Sequence, residues 1–186
     1  MFEEHTVKPE DLLSSKYRAL LQERYTRAGW GGGGYHHVDV VAEFAMQTLS
    51  TSILDYGCGR GTLAQALAVR LRDRGTPFAA HDIREYDPGI LGKDSLPTPA
   101  DLVVATDVLE HIEPDKVDVT LKFIRSLAKQ GAFFIIATVP AREILGDGSN
   151  AHRTIQPDDW WLDKISSAGF TQGRFERRKG LWVWCQ

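Results

Sequence analysis

The chain has 186 residues, enough for one domain with a sizeable core and too few for two ordinary domains. Apolar residues make up 42% and charged residues 25%, and the formal net charge is -3, which argues against general affinity for nucleic acid or anionic membranes. No stretch approaches the roughly 18 apolar residues of a membrane helix, and no leader pattern opens the sequence. We therefore expect a cytoplasmic protein with no membrane or nucleic-acid partner.

The first quarter of the sequence predicts two helices joined by glycines. Apolar residues recur at spacings of three and four over 10–28, which predicts a helix, and a second helix is predicted over 38–49. Four consecutive glycines at 31–34 suit a lid that closes over a ligand, and an unordered linker is the alternative. We expect residues 1–49 to form a helical cap that belongs to the same domain as the rest.

From residue 50 to 186 the pattern alternates between strands and helices. Strands are predicted over 52–56, 77–83, 101–106 and 132–139, helices over 62–74, 114–129 and 157–168, and a closing hairpin over 170–177 and 180–185. This alternation predicts an α/β fold with a mainly parallel sheet, helices on both faces and an antiparallel C-terminal hairpin. Sheets of this kind bind ligands beyond the carboxyl ends of their strands.

A glycine-rich turn follows the first predicted strand. Its sequence is Asp55-Tyr56-Gly57-Cys58-Gly59-Arg60-Gly61, so the glycines are spaced G-x-G-x-G, and the third comes one place earlier than in a dinucleotide-binding turn. The acid before the first glycine would oppose a pyrophosphate, whereas it can accept hydrogen bonds from an ammonium group. The segment closely resembles motif I of class I (Rossmann-like) S-adenosylmethionine-dependent methyltransferases.

The resemblance covers about residues 50–186 and implies S-adenosylmethionine as the cofactor, with S-adenosylhomocysteine as the product. In that family the glycine loop packs against the methionine part of the cofactor, which implies contacts at five positions, Asp55, Gly57, Cys58, Gly59 and Gly61. The family also places an acid at the end of the second strand to bind both ribose hydroxyls. Asp82 and its neighbour Ile83 are predicted there, and a helix N-cap is the alternative role of Asp82.

Two further residues are expected at the cofactor, and one region departs from the family pattern. Asp107 follows the strand predicted at 101–106, where the family lines cofactor and substrate, and Tyr35 is placed to meet the cofactor carboxylate under a closed lid. The stretch between Asp82 and residue 101 is short, so we expect a reduced helix there and no third strand. Asp94 is then the available acid for the adenine amino group.

Two histidines are candidates for a general base. His111 lies just past the strand predicted at 101–106, and His152 lies in a polar loop with Asn150 and Arg153, which are candidate substrate ligands. Capping of a loop or helix is the alternative for either histidine. The stretch from Asn150 to Trp161 resembles a small subgroup of bacterial and phage methyltransferases of unassigned substrate.

The expected reaction is methyl transfer to a small polar metabolite or sugar, with O-methylation preferred over N-methylation. A metal-dependent O-methyltransferase is an alternative, with ligands drawn from His36, His37, Glu110, His111 and His152. No spacing matches a recognised metal site, so we expect no metal. A non-catalytic cofactor-binding protein of the same fold is the other alternative. The sequence does not determine the oligomeric state.

Overall fold

The computed structural model describes residues 7–73 and 82–186. The helices are α1 (Pro9–Leu12), α2 (Ser15–Tyr25), α3 (Val38–Gln47), α4 (Thr62–Asp73), α5 (Val117–Leu127) and α6 (Asp158–Ser167). The strands are β1 (Ser52–Tyr56), β2 (Asp82–Tyr86), β3 (Ala100–Thr106), β4 (Ala128–Ile136), β5 (Gln172–Arg177) and β6 (Leu181–Cys185). Short 3-10 turns occur at Gly34–His37, Leu109–His111 and Pro114–Lys116.

The strands form one sheet in the order β2-β1-β3-β4-β6-β5. Strands β1 to β4 run parallel, whereas β6 runs antiparallel to both β4 and β5. Strand β1 is buried along its whole length, because a parallel sheet is covered on both faces. The sheet confirms the predicted mixed α/β fold with its antiparallel C-terminal hairpin.

Two apolar cores lie on opposite faces of this sheet. One contains Leu121 and Ile124 of α5 with Trp161 and Ile165 of α6, and the other is formed by α3 and α4, with Leu67 at its centre. Complete burial of each such side chain stabilises the fold by about 1.5–3 kcal/mol. Among the described residues, no strand or α-helix lies between β2 and β3, which agrees with the predicted shortening of this region.

The second strand lies further along the chain than predicted. Asp82 pairs with Ser52, the first residue of β1, and Tyr86 pairs with Tyr56, its last. Because parallel strands share one carboxyl end, Asp82 lies at the opposite end from the glycine loop. The prediction that this strand ends at Asp82 is wrong. The earlier part of the predicted strand, 77–81, lies outside the described residues.

The helix predicted over 10–28 is divided in two at Ser14. The Ser14 hydroxyl accepts a hydrogen bond from the Tyr17 N–H at 3.1 Å, which caps α2. The N–H and O–H of Ser14 donate to the Glu113 carboxylate at 2.9 and 2.7 Å. Because the N-cap Ser14 has an extended backbone, the helix before it cannot continue through this position, and α1 ends at Leu12.

Helix α2 and the turn before it pack onto the polar loop that follows β4. Leu13 and Tyr17 form a small apolar cluster with Leu145 and Ala151.

No helix in the described ranges is long and apolar enough to cross a membrane. The division of the chain at residue 49 stays a prediction.

Candidate functional site

The carboxyl ends of β1 and β3 open onto a pocket that the N-terminal helices cover. The glycine loop, the turn after β2 and the segment after β3 form its floor, and residues between Leu12 and Gly34 form its other wall. The lining includes Leu12, Leu13, Tyr17, Tyr25, Trp30, Gly31, Asp55, Gly57, Cys58, Gly59, Asp87, Thr106, Asp107, His111 and Ile112.

The glycine loop is fixed by backbone contacts on both sides. The N–H groups of Gly57 and Cys58 donate to the carbonyl of Tyr86 at 2.7 and 3.1 Å, which ties the loop to the end of β2. Gly59 has a φ of +54°, and a Cβ there would lie 2.5 Å from the Gly31 carbonyl oxygen. Only glycine fits this approach. Gly61 also has a positive φ. The Cys58 side chain in the same loop is buried, and this burial raises the pKa of its thiol.

The glycines at 31–34 are docked against this loop. The Arg60 N–H donates to the Gly31 carbonyl at 2.8 Å, the Thr62 hydroxyl donates to the Gly32 carbonyl at 3.1 Å, and the Arg60 guanidinium donates to the Trp30 carbonyl at 2.8 Å. The segment therefore forms a wall of the pocket. Tyr35 does not line the pocket: it is half exposed and its ring lies 3.9 Å from that of His36.

Asp55 is a buried carboxyl group at the end of β1. It is 2% exposed, and its Oδ2 has no hydrogen-bond partner among the described residues. Burial, together with the nearby Glu85 carboxylate, raises the pKa of Asp55 to about 7, and the Lys93 ammonium opposes this shift. Asp55 belongs to the pocket lining.

Asp87 is the acid that the structure places at the carboxyl end of β2. Its Oδ1 accepts from the Gly89 N–H at 2.8 Å, and its Oδ2 accepts from the Gly59 N–H at 3.1 Å and the Tyr25 hydroxyl at 3.0 Å. This residue was not predicted from the sequence, although Asp87-Pro88-Gly89 is turn chemistry typical of the residues after a strand.

The acids predicted in this region lie elsewhere. The Asp82 side chain is 61% exposed and pairs with the Arg84 guanidinium at 3.0 Å, while Ile83 packs against the core of α3 and α4. Neither lines the pocket, because both lie toward the amino end of β2. Asp94 pairs with Arg18 at 3.5 Å, also away from the pocket lining.

Asp107 follows β3 and does line the pocket. It has a φ of +55°, the left-handed region that non-glycine residues seldom adopt, and its N–H donates to the Ile135 carbonyl at 2.9 Å. Its Oδ2 lies 3.0 Å from the His37 Nε2, which links the end of β3 to the N-terminal segment. Strain of about 1–3 kcal/mol at such a residue persists only where surrounding contacts hold it.

His111 also lines the pocket. Its Nδ1 is 2.9 Å from the Ala151 carbonyl oxygen, and since a carbonyl only accepts, Nδ1 carries the proton and Nε2 keeps its lone pair. The ring contacts Trp30 and His152 edge to face, with centroids at 5.3 and 4.8 Å. Burial, followed by the neighbouring His152, lowers the pKa of His111 to about 4, so the ring is neutral at pH 7.

His152 and Glu110 complete a cluster with His111. The Nδ1 of His152 lies 2.6 Å from the Val139 carbonyl oxygen, and its Nε2 lies 4.0 Å from the Glu110 Oε1. Glu110 is fully buried, and neither carboxylate oxygen has a hydrogen-bond partner of ordinary geometry among the described residues. Burial and the Asp107 charge raise the pKa of Glu110 to about 8, although the N–H groups of Glu110 and Ala137 oppose this.

The two candidate substrate ligands contact protein groups and do not line the pocket. The Asn150 amide exchanges two hydrogen bonds with the backbone of Ala141 at 3.0 and 2.9 Å and accepts a third from the His152 N–H at 2.9 Å. The Arg153 guanidinium lies over the Tyr17 ring, 5.4 Å from its centroid. In this arrangement Asn150 shapes the loop that carries His152.

The sequence matches a family model over almost its whole length. Residues 17–185 match the model of a methyltransferase domain. The chain belongs to this family. Membership confirms that the protein is a methyltransferase, and with it the S-adenosylmethionine cofactor that the glycine loop indicated. A search of the curated proteins finds no match.

Solved structures of methyltransferases share the fold of this chain. DhpI in complex with S-adenosylhomocysteine is 17% identical, with a TM-score of 0.53 and 96% of each chain covered. The 1,6-didemethyltoxoflavin-N1-methyltransferase of Burkholderia thailandensis is 14% identical, with a TM-score of 0.60, and the match covers 99% of this chain and 91% of that one. The magnesium protoporphyrin IX methyltransferase of Synechocystis with bound S-adenosylmethionine is 15% identical, with a TM-score of 0.53 and 97% of each chain covered.

Proposed function

We propose that this methyltransferase acts on a hydroxyl group of a small molecule that enters between the N-terminal helices and the carboxyl ends of β1 and β3. The observation that carries the proposal is that one pocket is lined both by the glycine loop, Gly57 to Gly59, and by His111 of the histidine–carboxylate cluster. A donor site and a proton-accepting site thus share one enclosure. Methyl transfer to a hydroxyl needs both.

Two buried acids are proposed to hold the cofactor. The unpaired Oδ2 of Asp55 is suited to the ammonium of the methionine part, and Asp87, at the carboxyl end of β2, is suited to the ribose hydroxyls. Bound S-adenosylmethionine supplies a methyl group on a sulfonium sulfur, which an acceptor oxygen displaces. The ribose contact expected at Asp82 is therefore proposed for Asp87.

The acceptor is proposed to have an apolar ring face as well as a hydroxyl group. Leu12, Leu13, Trp30 and Ile112 give this part of the pocket apolar walls, which suit a ring better than the sugar expected from the sequence. Two of the structural neighbours are named for ring compounds, 1,6-didemethyltoxoflavin and magnesium protoporphyrin IX. Those neighbours lend support by analogy of fold.

The preference for a hydroxyl acceptor rests on the cluster beside the pocket. A neutral amine attacks a methyl group unaided, whereas a hydroxyl needs its proton removed as it reacts. His111 and His152 both place Nδ1 on a backbone carbonyl, which leaves the lone pair on Nε2 of each ring. The proton of the acceptor hydroxyl is proposed to leave through this cluster.

A methyl-transfer screen tests the proposal. Purified protein with S-adenosylmethionine is offered matched pairs of ring compounds that carry either a hydroxyl or an amino group, and release of S-adenosylhomocysteine is measured. We expect turnover with hydroxyl compounds and a loss of at least a hundredfold in His152→Gln, with S-adenosylhomocysteine affinity unchanged by calorimetry. Turnover with amines alone would contradict the choice of acceptor. Cofactor binding with turnover on neither class of compound would contradict the proposed acceptor.

A further inference from the structure

The buried carboxylate of Glu110 is not explained by proton transfer alone. It is fully buried, neither of its oxygens has a hydrogen-bond partner of ordinary geometry among the described residues, and its Oε1 faces the His152 Nε2 at 4.0 Å. Burial of an unpaired carboxyl group costs several kcal/mol unless a partner compensates it. His152 by itself lies too far away for a hydrogen bond.

The two histidines beside Glu110 are oriented as metal ligands usually are. Each directs Nδ1 to a backbone carbonyl, His111 to Ala151 at 2.9 Å and His152 to Val139 at 2.6 Å. This outer hydrogen bond fixes the tautomer and the ring orientation and leaves Nε2 as the available ligand atom, which is the arrangement found around metal-bound histidines.

We propose that Glu110, His111 and His152 bind a divalent transition-metal ion. One ligand atom from each residue lies within 4.8 Å of the others. Metal–nitrogen bonds of about 2.0–2.1 Å set neighbouring ligand atoms roughly 3–3.5 Å apart, so the side chains close by about 1 Å around the ion. Two imidazoles and one carboxylate suit Zn²⁺ or Mn²⁺, whereas Mg²⁺ and Ca²⁺ prefer sets made of oxygen alone.

The ion would lie at the inner edge of the pocket, because His111 belongs to both the cluster and the pocket lining. Three protein ligands leave coordination positions for water or for an oxygen of the acceptor. A metal-bound hydroxyl loses its proton far more easily, and the proton passes to a water molecule. This inference rests on the proposed function and refines it, since the histidines then hold the ion that acidifies the acceptor.

Metal binding to purified protein tests the inference directly. After chelation and desalting, the wild-type chain is dialysed against ZnCl₂ or MnCl₂, and bound metal is measured by elemental analysis. CoCl₂ serves as a spectroscopic probe through its visible absorption. We expect one equivalent of metal per chain and a raised unfolding temperature, with affinity reduced at least tenfold in Glu110→Gln and in His152→Gln. His36→Gln, an exposed histidine outside the cluster, should bind metal as the wild type does.

The result that overturns the inference is a wild-type protein that takes up no Zn²⁺, Mn²⁺ or Co²⁺ at micromolar concentrations. Equal metal affinity in His152→Gln and the wild type also overturns it. Far-ultraviolet circular dichroism verifies that the variants are folded. Titration of the chelated wild type with S-adenosylhomocysteine separates the two proposals. If the protein binds the cofactor but no metal, only the proposed metal site is refuted. If it binds metal but no cofactor, the proposed function is refuted and the metal site stands.

Discussion

The Tyr25 hydroxyl donates a hydrogen bond of 3.0 Å to the Oδ2 of Asp87, across the pocket between α2 and the end of β2. The same oxygen accepts from the Gly59 N–H at 3.1 Å, so one carboxylate joins the N-terminal helix, the second strand and the glycine loop. Burial raises the pKa of Asp87, and the hydrogen bonds from Gly89, Tyr25 and Gly59 oppose this shift and favour its charged form. This acid lies at the centre of the proposed cofactor site.

Replacement of this acid should weaken cofactor binding. We expect Asp87→Asn to reduce the affinity for S-adenosylhomocysteine at least tenfold, about 1.4 kcal/mol, because an amide replaces one acceptor oxygen with a donor. Isothermal titration calorimetry measures the change. Asp82→Asn is the matched control, since Asp82 is exposed at the other end of β2, and its affinity should equal that of the wild type. A tenfold loss in Asp82→Asn with none in Asp87→Asn would reverse the assignment.

Asp55 should make stability depend on pH. Its folded pKa of about 7 lies above the ordinary value of 3.8, so between these values the folded state holds a proton that the unfolded state has released. The free energy of unfolding contributed by Asp55 therefore falls as pH rises from about 4 to about 7, and stays low above that. We expect Asp55→Asn to be more stable than the wild type at pH 9 and similar to it at pH 4.

Urea unfolding at the two pH values measures this difference, with the folded baseline checked by circular dichroism. The same variant should bind S-adenosylhomocysteine at least tenfold more weakly, because the acceptor for the ligand ammonium has lost its charge. An equal change in stability at pH 4 and pH 9 would show that the Asp55 carboxyl does not titrate as its burial implies.

Asn150 should affect turnover through the position of His152. Loss of its amide in Asn150→Ala removes three hydrogen bonds to Ala141 and His152, which should lower the free energy of unfolding by about 1–3 kcal/mol. We expect turnover to fall at least tenfold while S-adenosylhomocysteine affinity stays the same. Arg142→Ala, an exposed position in the same loop, is the control. A change in the Michaelis constant alone would instead indicate that Asn150 contacts the acceptor.

The docked glycine segment should tolerate alanine at Gly32 but not at Gly31. Gly31 has a φ of +68°, and a Cβ there would lie 2.7 Å from a Tyr25 ring carbon, whereas at Gly32 the nearest atom would lie 3.9 Å away. We expect Gly31→Ala to lose about 1–3 kcal/mol of stability and to bind S-adenosylhomocysteine more weakly. Gly32→Ala should match the wild type. Equal behaviour of the two variants in thermal unfolding would mean that the segment is not docked as described.

The sequence alone predicted the features that depend on residues close together in the chain. The alternation of apolar strands and amphipathic helices predicted the sheet, and Asp55 with the early third glycine indicated the cofactor. A capping serine at position 14 divided a helix that periodicity had joined, since one local hydrogen bond outweighed the apolar spacing.

Only the tertiary structure decided which acid closes β2 and which side chains meet beyond β3. The end of a strand depends on the register with its neighbour, which no local pattern encodes, and so Asp87 replaces Asp82. The loop after β4 returns His152 to Glu110 and His111, which lie far earlier in the sequence. Periodicity and motif spacing thus determined the fold class and the methyl donor, whereas packing between distant segments decided which acid follows β2 and which side chains form the histidine–carboxylate cluster.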